Sequence, residues 1–139
     1  MITPEFVDTN VLLYAYDAGA GERHDQARRL VSGFGSTRRG ALSVQVLQEF
    51  YVNAVRKMAV PASPEAALGR LKLFSTWTVH SPTAADVIAA AALSQEHLLS
   101  FWDAMIVRSA SQLGCSVLWT EDLKHGQVID GVRVSNPFA

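Results

Sequence analysis

Short apolar runs of strand-like length alternate along this chain with longer segments in which apolar residues recur at helical spacing. The strand-like runs lie at residues 6–7, 41–43, 77–79 and 116–119, with residues 132–134 as the candidate fifth. Strands that alternate with helices form βαβ units, in which helices cover both faces of a parallel sheet. We therefore predict an α/β fold, a three-layer α/β/α domain around a central, mostly parallel sheet of four to five strands.

Capping residues, prolines and glycines mark the ends of the predicted helices. Helices are expected from Val11, from about Glu22, after Ser43, from Pro64, from Thr83 to His97, and from Trp102 to Leu113. Gly114 follows the last of these as a natural helix end. Gly33, Gly35 and Gly40 predict a polar, basic loop before the second strand.

The composition is that of a single globular domain spanning residues 1–139. Apolar residues make up 49% of the chain and charged residues 18%, which is ordinary for a soluble protein. The lone cysteine, Cys115, cannot form an internal disulfide and fits a reducing compartment. The first five residues lack the basic start of a secretory leader, and residues 87–93 are too short an apolar run to span a bilayer. These features predict a cytoplasmic protein without a membrane partner.

Acidic residues occur where a parallel α/β sheet places its ligands, just beyond the carboxyl ends of the strands. Asp8 follows the first strand and Asp122 follows the fourth. Glu49 lies about a turn and a half into the helix after the second strand, with Gln45 on the same helix face. Asp103 stands at the start of a largely apolar helix. The fold could therefore bring four carboxylates to one edge of the sheet.

Each acid also has a purely structural interpretation. Asp8 and Asp103 could cap helices, Glu49 could be a solvated helix residue, and Asp122 could belong to a turn. Together these interpretations weaken, because two carboxylates about 4 Å apart repel by roughly 4 kcal/mol at an effective dielectric constant near 20. A divalent cation would offset that repulsion, and an all-oxygen ligand set favours magnesium or manganese. Ions held in this way typically serve phosphoryl transfer.

Four segments resemble the motifs of PIN-domain nucleases, and particularly of the VapC toxins of bacterial toxin–antitoxin pairs. They are FVDTNVLLYA at residues 6–15, SVQVLQEF at 43–50, LSFWDAMIV at 99–107 and LWTEDL at 118–123. The KHG and NPF segments at residues 124–126 and 136–138 are similar to one subgroup. The resemblance covers essentially the whole chain. It implies a PIN-like domain, magnesium- or manganese-dependent cleavage of RNA, a homodimer, and neutralisation by a cognate, VapB-like antitoxin.

The resemblance also implies roles for individual residues. Asp8, Glu49, Asp103 and Asp122 become the catalytic, metal-binding acids, with Asp8 and Asp103 as the foremost metal ligands. Asn10 and Thr120 become the groups that orient these acids. A slip of one residue would exchange Glu121 for Asp122, and we prefer Asp122 because it matches the motif. The implied chemistry is in-line attack of water on an RNA phosphodiester, with one carboxylate helping to remove the water's proton.

Contacts with RNA are a separate expectation. The net charge of −1 gives no bulk basic signature, so any nucleic-acid binding must come from a local arrangement. Arg38 and Arg39, in the glycine-flanked loop, and Lys124, near the fourth acid, are the residues that could steer phosphates towards the metal.

Two rival functions stay open at the level of sequence. A response-regulator-like phosphorylation domain also uses acids at strand ends, but it needs a lysine after a late strand, where this chain has Thr120-Glu121-Asp122. The other rival is a non-catalytic PIN-like module that binds RNA or protein without cutting. Metal-dependent turnover separates it from a nuclease.

Overall fold

The structure is a computed structural model that describes residues 3–139. Residues 1 and 2, which entered the prediction about a leader, lie outside the described residues. The strands are β1 (Glu5–Val7), β2 (Gly40–Ser43), β3 (Thr78–His80), β4 (Val117–Trp119), β5 (Val128–Ile129) and β6 (Val132–Ser135). The helices are α1 (Thr9–Tyr16), α2 (Glu22–Thr37), α3 (Val44–Arg56), α4 (Pro64–Phe74), α5 (Ala84–His97) and α6 (Phe101–Gln112), with a 3₁₀ turn at Ala18–Ala20. Within this part of the chain, no helix is both long enough and apolar enough to cross a membrane.

The strands form one six-stranded sheet in the order β3-β2-β1-β4-β6-β5. All neighbouring pairs are parallel except β5 and β6. Central β1 pairs through Phe6 with Ala41 of β2 on one side and with Leu118 of β4 on the other. The predicted α/β class with a mostly parallel sheet is confirmed, and the sheet has one strand more than the predicted range.

The additional strand, β5, forms a short hairpin with β6. Ile129 pairs with Val132, and the two residues between them, Asp130 and Gly131, have φ angles of 51° and 79°. An Asp-Gly pair with both residues at positive φ is typical of the tightest hairpin turns. A strand of two residues is too short to show an alternating pattern, which is why only its partner was predicted.

The strand order fixes where the helices lie. The chain moves from β1 through β2 to β3 in one direction along the sheet, and then returns to place β4 on the other side of β1. Because such crossovers are right-handed, the helices before and after β3 cover opposite faces. Accordingly α1 packs on both α2 and α3, and α3 packs on α4, while α5 packs on α6 and α6 packs against β2, β4 and β6. The reversal of direction lies between β1 and β4, where folds of this class bind ligands.

The core consists of apolar side chains from the central strands and from the helices that cover them. Phe6, Leu42 and Leu118 are fully buried in the sheet. On the helical side, the rings of Phe50 and Phe74 meet edge to face, with centroids 5.2 Å apart. This packing gives β1, β2 and β4 a rigid setting, so the residues that follow them are held in fixed positions.

The first part of the basic loop is helical, contrary to the sequence prediction. Helix α2 continues through Gly33 and Gly35 to Thr37, so only two residues separate it from β2. A glycine inside a helix costs about 1 kcal/mol relative to alanine. Burial of Val31 and Phe34 outweighs that cost, because each buried apolar side chain contributes about 1.5–3 kcal/mol.

Candidate metal centre

Asp8 lies at the end of β1 and is the most deeply placed of the predicted acids, with 6% of its surface exposed. Its Oδ1 accepts a hydrogen bond from the Thr9 backbone N–H at 2.7 Å, and its Oδ2 accepts one from the Thr120 hydroxyl at 2.8 Å. Burial raises the pKa of Asp8 to about 7, and the carboxylates of Asp122 and Glu49 contribute to the rise. The two hydrogen bonds act in the opposite direction but do not offset the burial.

Asp122 lies in the loop beyond β4 and is joined to Asp8 by a hydrogen-bond network. Asn10 donates from Nδ2 to Asp122 Oδ2 at 2.9 Å and to Thr120 Oγ1 at 3.2 Å. The backbone N–H of Asp122 also donates to Thr120 Oγ1, at 3.1 Å. Thr120 and Asn10 therefore contact the acids across the gap between β4 and α1, and their role in orienting a metal site stays a prediction.

Glu49 and Asp103 come from two different helices that Gln45 joins. The Gln45 amide donates from Nε2 to Glu49 Oε1 at 3.1 Å and to the backbone oxygen of Trp102 at 3.3 Å. It thereby ties α3 to the first turn of α6, where Asp103 follows Trp102. Burial raises the pKa values of both Glu49 and Asp103, and Asp122 contributes repulsion to each. The sequence marked Gln45 only by its position on the helix, and its bridging contact was missed.

The Thr9 hydroxyl is a buried polar group next to this cluster. Its oxygen has no hydrogen-bond partner among the described residues, although it is close enough to Glu49 to lower the pKa of that carboxyl. The two groups are therefore neighbours without a full hydrogen bond. A buried hydroxyl without a partner is costly, so this position suits a further polar occupant.

No basic side chain forms an ion pair with the cluster in the part of the chain that the structure describes. None of the ion pairs formed by residues 3–139 involves Asp8, Glu49, Asp103 or Asp122. Asp86 provides the contrast, because the backbone N–H of Thr83 and the Arg108 guanidinium lower its pKa to about 2. The four acids resemble a cation site in their chemistry, since their donors are all oxygen and their charges are uncompensated.

The acids are nevertheless spread apart. Among residues 3–139, no group of three or more histidine, cysteine, aspartate or glutamate side chains is close enough together to hold a metal ion as it stands. The residues fit a hard divalent ion in type and in charge.

The ambiguity between Glu121 and Asp122 has a geometric answer. Glu121 accepts a hydrogen bond from the Tyr14 hydroxyl at 2.7 Å and forms an ion pair with Arg23 at 3.2 Å. Asp122 instead acts on the pKa values of Asp8, Glu49 and Asp103. The structure thus brings Asp122, and not Glu121, to the other acids.

The predicted RNA contacts are divided between the two edges of the sheet. Arg38 and Arg39 immediately precede β2, at its amino end, and Arg39 forms an ion pair with Glu5 at 3.1 Å. The structure therefore does not bring these two arginines to the acids, which lie at the carboxyl ends of the strands. Lys124 is exposed in the loop beyond β4, two residues after Asp122. Arg23, which no sequence pattern singled out, does reach this loop.

Solved structures with the same fold include toxin–antitoxin proteins. A chain of a toxin–antitoxin complex from Klebsiella pneumoniae is 23% identical with a TM-score of 0.69, over 96% of this chain and 97% of that one. A chain of DNA-bound VapBC from Salmonella typhimurium is 20% identical with a TM-score of 0.68, over 98% and 99%. The sarcin–ricin-loop-cleaving toxin VapC20 of Mycobacterium tuberculosis is 21% identical with a TM-score of 0.62, over 81% and 85%.

Sequence comparison identifies the family. A comparison with curated proteins finds no match, whereas the family model of the PIN domain matches residues 6–129. That span contains all four acids and the residues that orient them. The match agrees with the sequence resemblance and with the fold of the similar structures. This chain therefore belongs to the PIN domain family.

Proposed function

We propose that this protein is a magnesium- or manganese-dependent endoribonuclease that acts as the toxin of a toxin–antitoxin pair. The observation that carries the proposal is the set of uncompensated carboxylates at the switch point between β1 and β4. Partly buried carboxylates that repel one another and form no ion pair lower the stability of a fold, so the arrangement is best explained by a cationic ligand. Membership of the PIN family and the likeness to VapC-type toxins support the same activity.

Asp8 and Asp103 are the residues that would hold the ion first, and Glu49 and Asp122 would complete its environment directly or through water. When bound, a divalent cation supplies orientation of the phosphate and neutralisation of the charge that develops on its oxygens. Asn10 and Thr120 keep the carboxylates in place by hydrogen bonds, as supporting residues do in metal sites.

The chain's own residues also provide the proton transfer. Glu49 is partly exposed, and burial raises its pKa above the ordinary value, so its carboxylate is a stronger base than that of an ordinary glutamate. The Gln45 amide fixes one of its oxygens. In our proposal the other oxygen accepts the proton of the water that attacks the phosphorus, while the bond from phosphorus to one ribose oxygen breaks and that oxygen takes up a proton from solvent.

The proposed partners follow from the same surface. RNA would enter from the side of Asp122, the most exposed of the four acids, with Lys124 as one phosphate contact. A VapB-like antitoxin would block this opening, since VapBC and other toxin–antitoxin complexes are among the structures with this fold. We further propose that the protein acts in the cytoplasm as a homodimer.

The direct test is cleavage of a mixed RNA pool by purified protein in magnesium, in manganese and in EDTA. Asp8→Asn should abolish metal-dependent cutting, while the matched control Asp25→Asn, which changes an exposed acid in the first turn of α2, should retain it. Cutting that persists both in EDTA and in Asp8→Asn would refute the proposal.

A second candidate function is a PIN-like module that binds RNA or protein without cutting it. The separation of the acids is the observation that favours it. Folded, antitoxin-free protein that binds RNA but cuts none in either metal would support this alternative. Isothermal titration calorimetry with Mn²⁺ also distinguishes the two functions. The nuclease requires an ion that is bound by the four acids, whereas the binding module does not.

A further inference from the structure

A half-exposed arginine is held in a fixed position against the loop that carries Asp122. Arg23, in the first turn of α2, forms an ion pair from Nε to Glu121 Oε2 at 3.2 Å, and 52% of its side chain is exposed. The carbon of its guanidinium lies 5.8 Å from the ring centroid of Tyr14 and 5.3 Å from that of Phe138. A surface arginine ordinarily moves among many rotamers. Three partners restrict that freedom here.

Residues 136–138 position one of the two aromatic rings that contact Arg23. Asn136 accepts a hydrogen bond from the Phe138 backbone N–H at 2.8 Å, and the backbone N–H of Asn136 donates to His125 Nδ1 at 2.9 Å. These bonds hold the Phe138 ring edge to face with Tyr14, with centroids 5.2 Å apart. The NPF segment therefore holds Phe138 against Arg23.

Arg23 is linked to the acids through the loop beyond β4. Its partner Glu121 directly precedes Asp122, and the Glu121 backbone N–H donates to Asn10 Oδ1 at 3.4 Å. The same Asn10 side chain donates to Asp122. Glu121 occupies only the Nε of the guanidinium, and within residues 3–139 the two terminal nitrogens have no hydrogen-bond partner. A pre-positioned cation with unused donors thus contacts the residue that directly precedes Asp122.

We propose that the terminal nitrogens of Arg23 bind a backbone phosphate of the RNA next to the one that is cleaved. This inference rests on the proposed function, because it names the residue that holds the substrate at that site. A cluster of four acids repels a polyanion, and a guanidinium at its edge offsets the repulsion. Arginine suits this role because its planar fork matches the two non-bridging oxygens of a phosphodiester.

The test compares Arg23→Ala and Arg23→Lys with Arg29→Ala, which removes an exposed arginine from the same helix. Binding of a fluorescent single-stranded RNA is measured by anisotropy in Ca²⁺ over a series of salt concentrations. Loss of one charged hydrogen-bonded contact should weaken binding by about tenfold to a hundredfold. It should also make the slope of log K against log salt shallower by about 0.7. Arg23→Lys should keep the slope, because lysine preserves the charge, and Arg29→Ala should keep both slope and affinity.

A second measurement locates the contact on the RNA. Methylphosphonate is placed at one phosphate at a time, which removes one charge from the substrate. Methylphosphonate at one position should weaken RNA binding by the wild type. The same methylphosphonate should have no further effect on binding by Arg23→Ala, because that variant already lacks the contact with this phosphate. If Arg23→Ala lowers the free energy of unfolding but keeps the wild-type salt slope and methylphosphonate pattern, Arg23 only supports the fold and the inference is wrong.

The test of Arg23 can fail or succeed independently of the test of the proposed nuclease activity. Wild-type protein that binds RNA without cutting it in Mg²⁺ would refute the nuclease activity, while the salt slopes would still decide the role of Arg23. Wild-type protein that fails to bind single-stranded RNA at all would overturn the inference directly.

Discussion

Replacing Asp8 by asparagine should stabilise the metal-free protein, while the same replacement at Asp86 should destabilise it. Both aspartates are buried, with 6% and 4% of their surfaces exposed. Asp86 has Arg108 at 2.9 Å and His80 at 3.3 Å. Asp8 has only hydrogen-bond donors and two neighbouring carboxylates. The pair therefore tests whether the acidic cluster costs folding energy when no cation is bound.

The expected gain at Asp8 follows from its pKa. Burial raises that pKa from 3.8 to about 7, a difference of roughly three units, or about 4 kcal/mol at about 1.4 kcal/mol per unit. The folded state binds the proton of the Asp8 carboxyl more tightly than the unfolded state does. The loss of folding stability caused by ionised Asp8 is therefore complete above about pH 7 and disappears as the pH falls towards 4. Asparagine removes the ionisation but weakens the hydrogen bond with Thr120, a loss of about 1 kcal/mol. The net stabilisation should be about 2–3 kcal/mol at about pH 8.

At Asp86 the shift in pKa has the opposite sign, so the ionised carboxylate stabilises the fold. The backbone N–H of Thr83 and the Arg108 guanidinium lower its pKa from 3.8 to about 2, which corresponds to about 2 kcal/mol of stability. That contribution is present above about pH 4 and is lost as the pH falls through about 2. Asp86→Asn also leaves the Arg108 charge without its partner. Its total cost should be about 2–4 kcal/mol at neutral pH.

Urea unfolding followed by circular dichroism in EDTA measures both effects. At about pH 8 the Asp8→Asn variant should unfold at higher urea than the wild type, and near pH 4 the advantage should be gone. Addition of Mn²⁺ should stabilise the wild type more than the variant, because ligand binding to the folded state adds to its stability. If Asp8→Asn is less stable than the wild type at pH 8 in EDTA, the argument from uncompensated burial is refuted.

Three further substitutions test other parts of the structure. Gly40→Ala should lower the free energy of unfolding in urea by about 1–3 kcal/mol, because a Cβ at this position would lie 2.5 Å from Cε3 of Trp77. An unchanged urea midpoint would contradict this close contact. Gln45→Ala removes the bridge between α3 and α6 and should weaken Mn²⁺ binding about tenfold to a hundredfold, as measured by titration calorimetry, with the unfolding midpoint in EDTA nearly unchanged. Asp122→Asn should lose metal-dependent RNA cleavage while Glu121→Gln retains most of it, and the reverse order would mean that the two acids were assigned wrongly.

The parts of the fold that the sequence predicted well are those with a repeating pattern. Strands β1 to β4 and the helices between them follow from apolar periodicity, since a helix and a strand bury their faces at different spacings. Strand β5 has two residues and no period, although Asp130 and Gly131 carry the turn signal that would have identified its hairpin. Helix α2 was predicted too short because Gly33 and Gly35 were interpreted as local breaks, whereas burial of Phe34 decides the conformation there.

The positions of the acids were predictable for a topological reason, and the same reason explains why the two arginines lie elsewhere. Residues that follow a parallel strand lie at its carboxyl end, so the sequence alone predicts that Asp8 and Asp122 share one edge of the sheet. Residues that precede a strand lie at the other edge. Arg38 and Arg39 precede β2, so the rule that selected the acids places these arginines at the opposite edge of the sheet, and their contact with RNA stays a prediction.

What the sequence could not supply are the partners of individual charged groups, because these depend on contacts between distant residues. Asp8 and Asp86 are both associated with a helix start, yet one is held by Thr120, 112 residues away, and the other by Arg108, 22 residues away. Burial raises the pKa of Asp8, whereas the Thr83 backbone N–H and the Arg108 guanidinium lower the pKa of Asp86. In the same way Arg23 meets Glu121 across 98 residues, so no local pattern marks it. A buried acid becomes a candidate ligand when its tertiary contacts leave its charge uncompensated, and that property belongs to the folded chain.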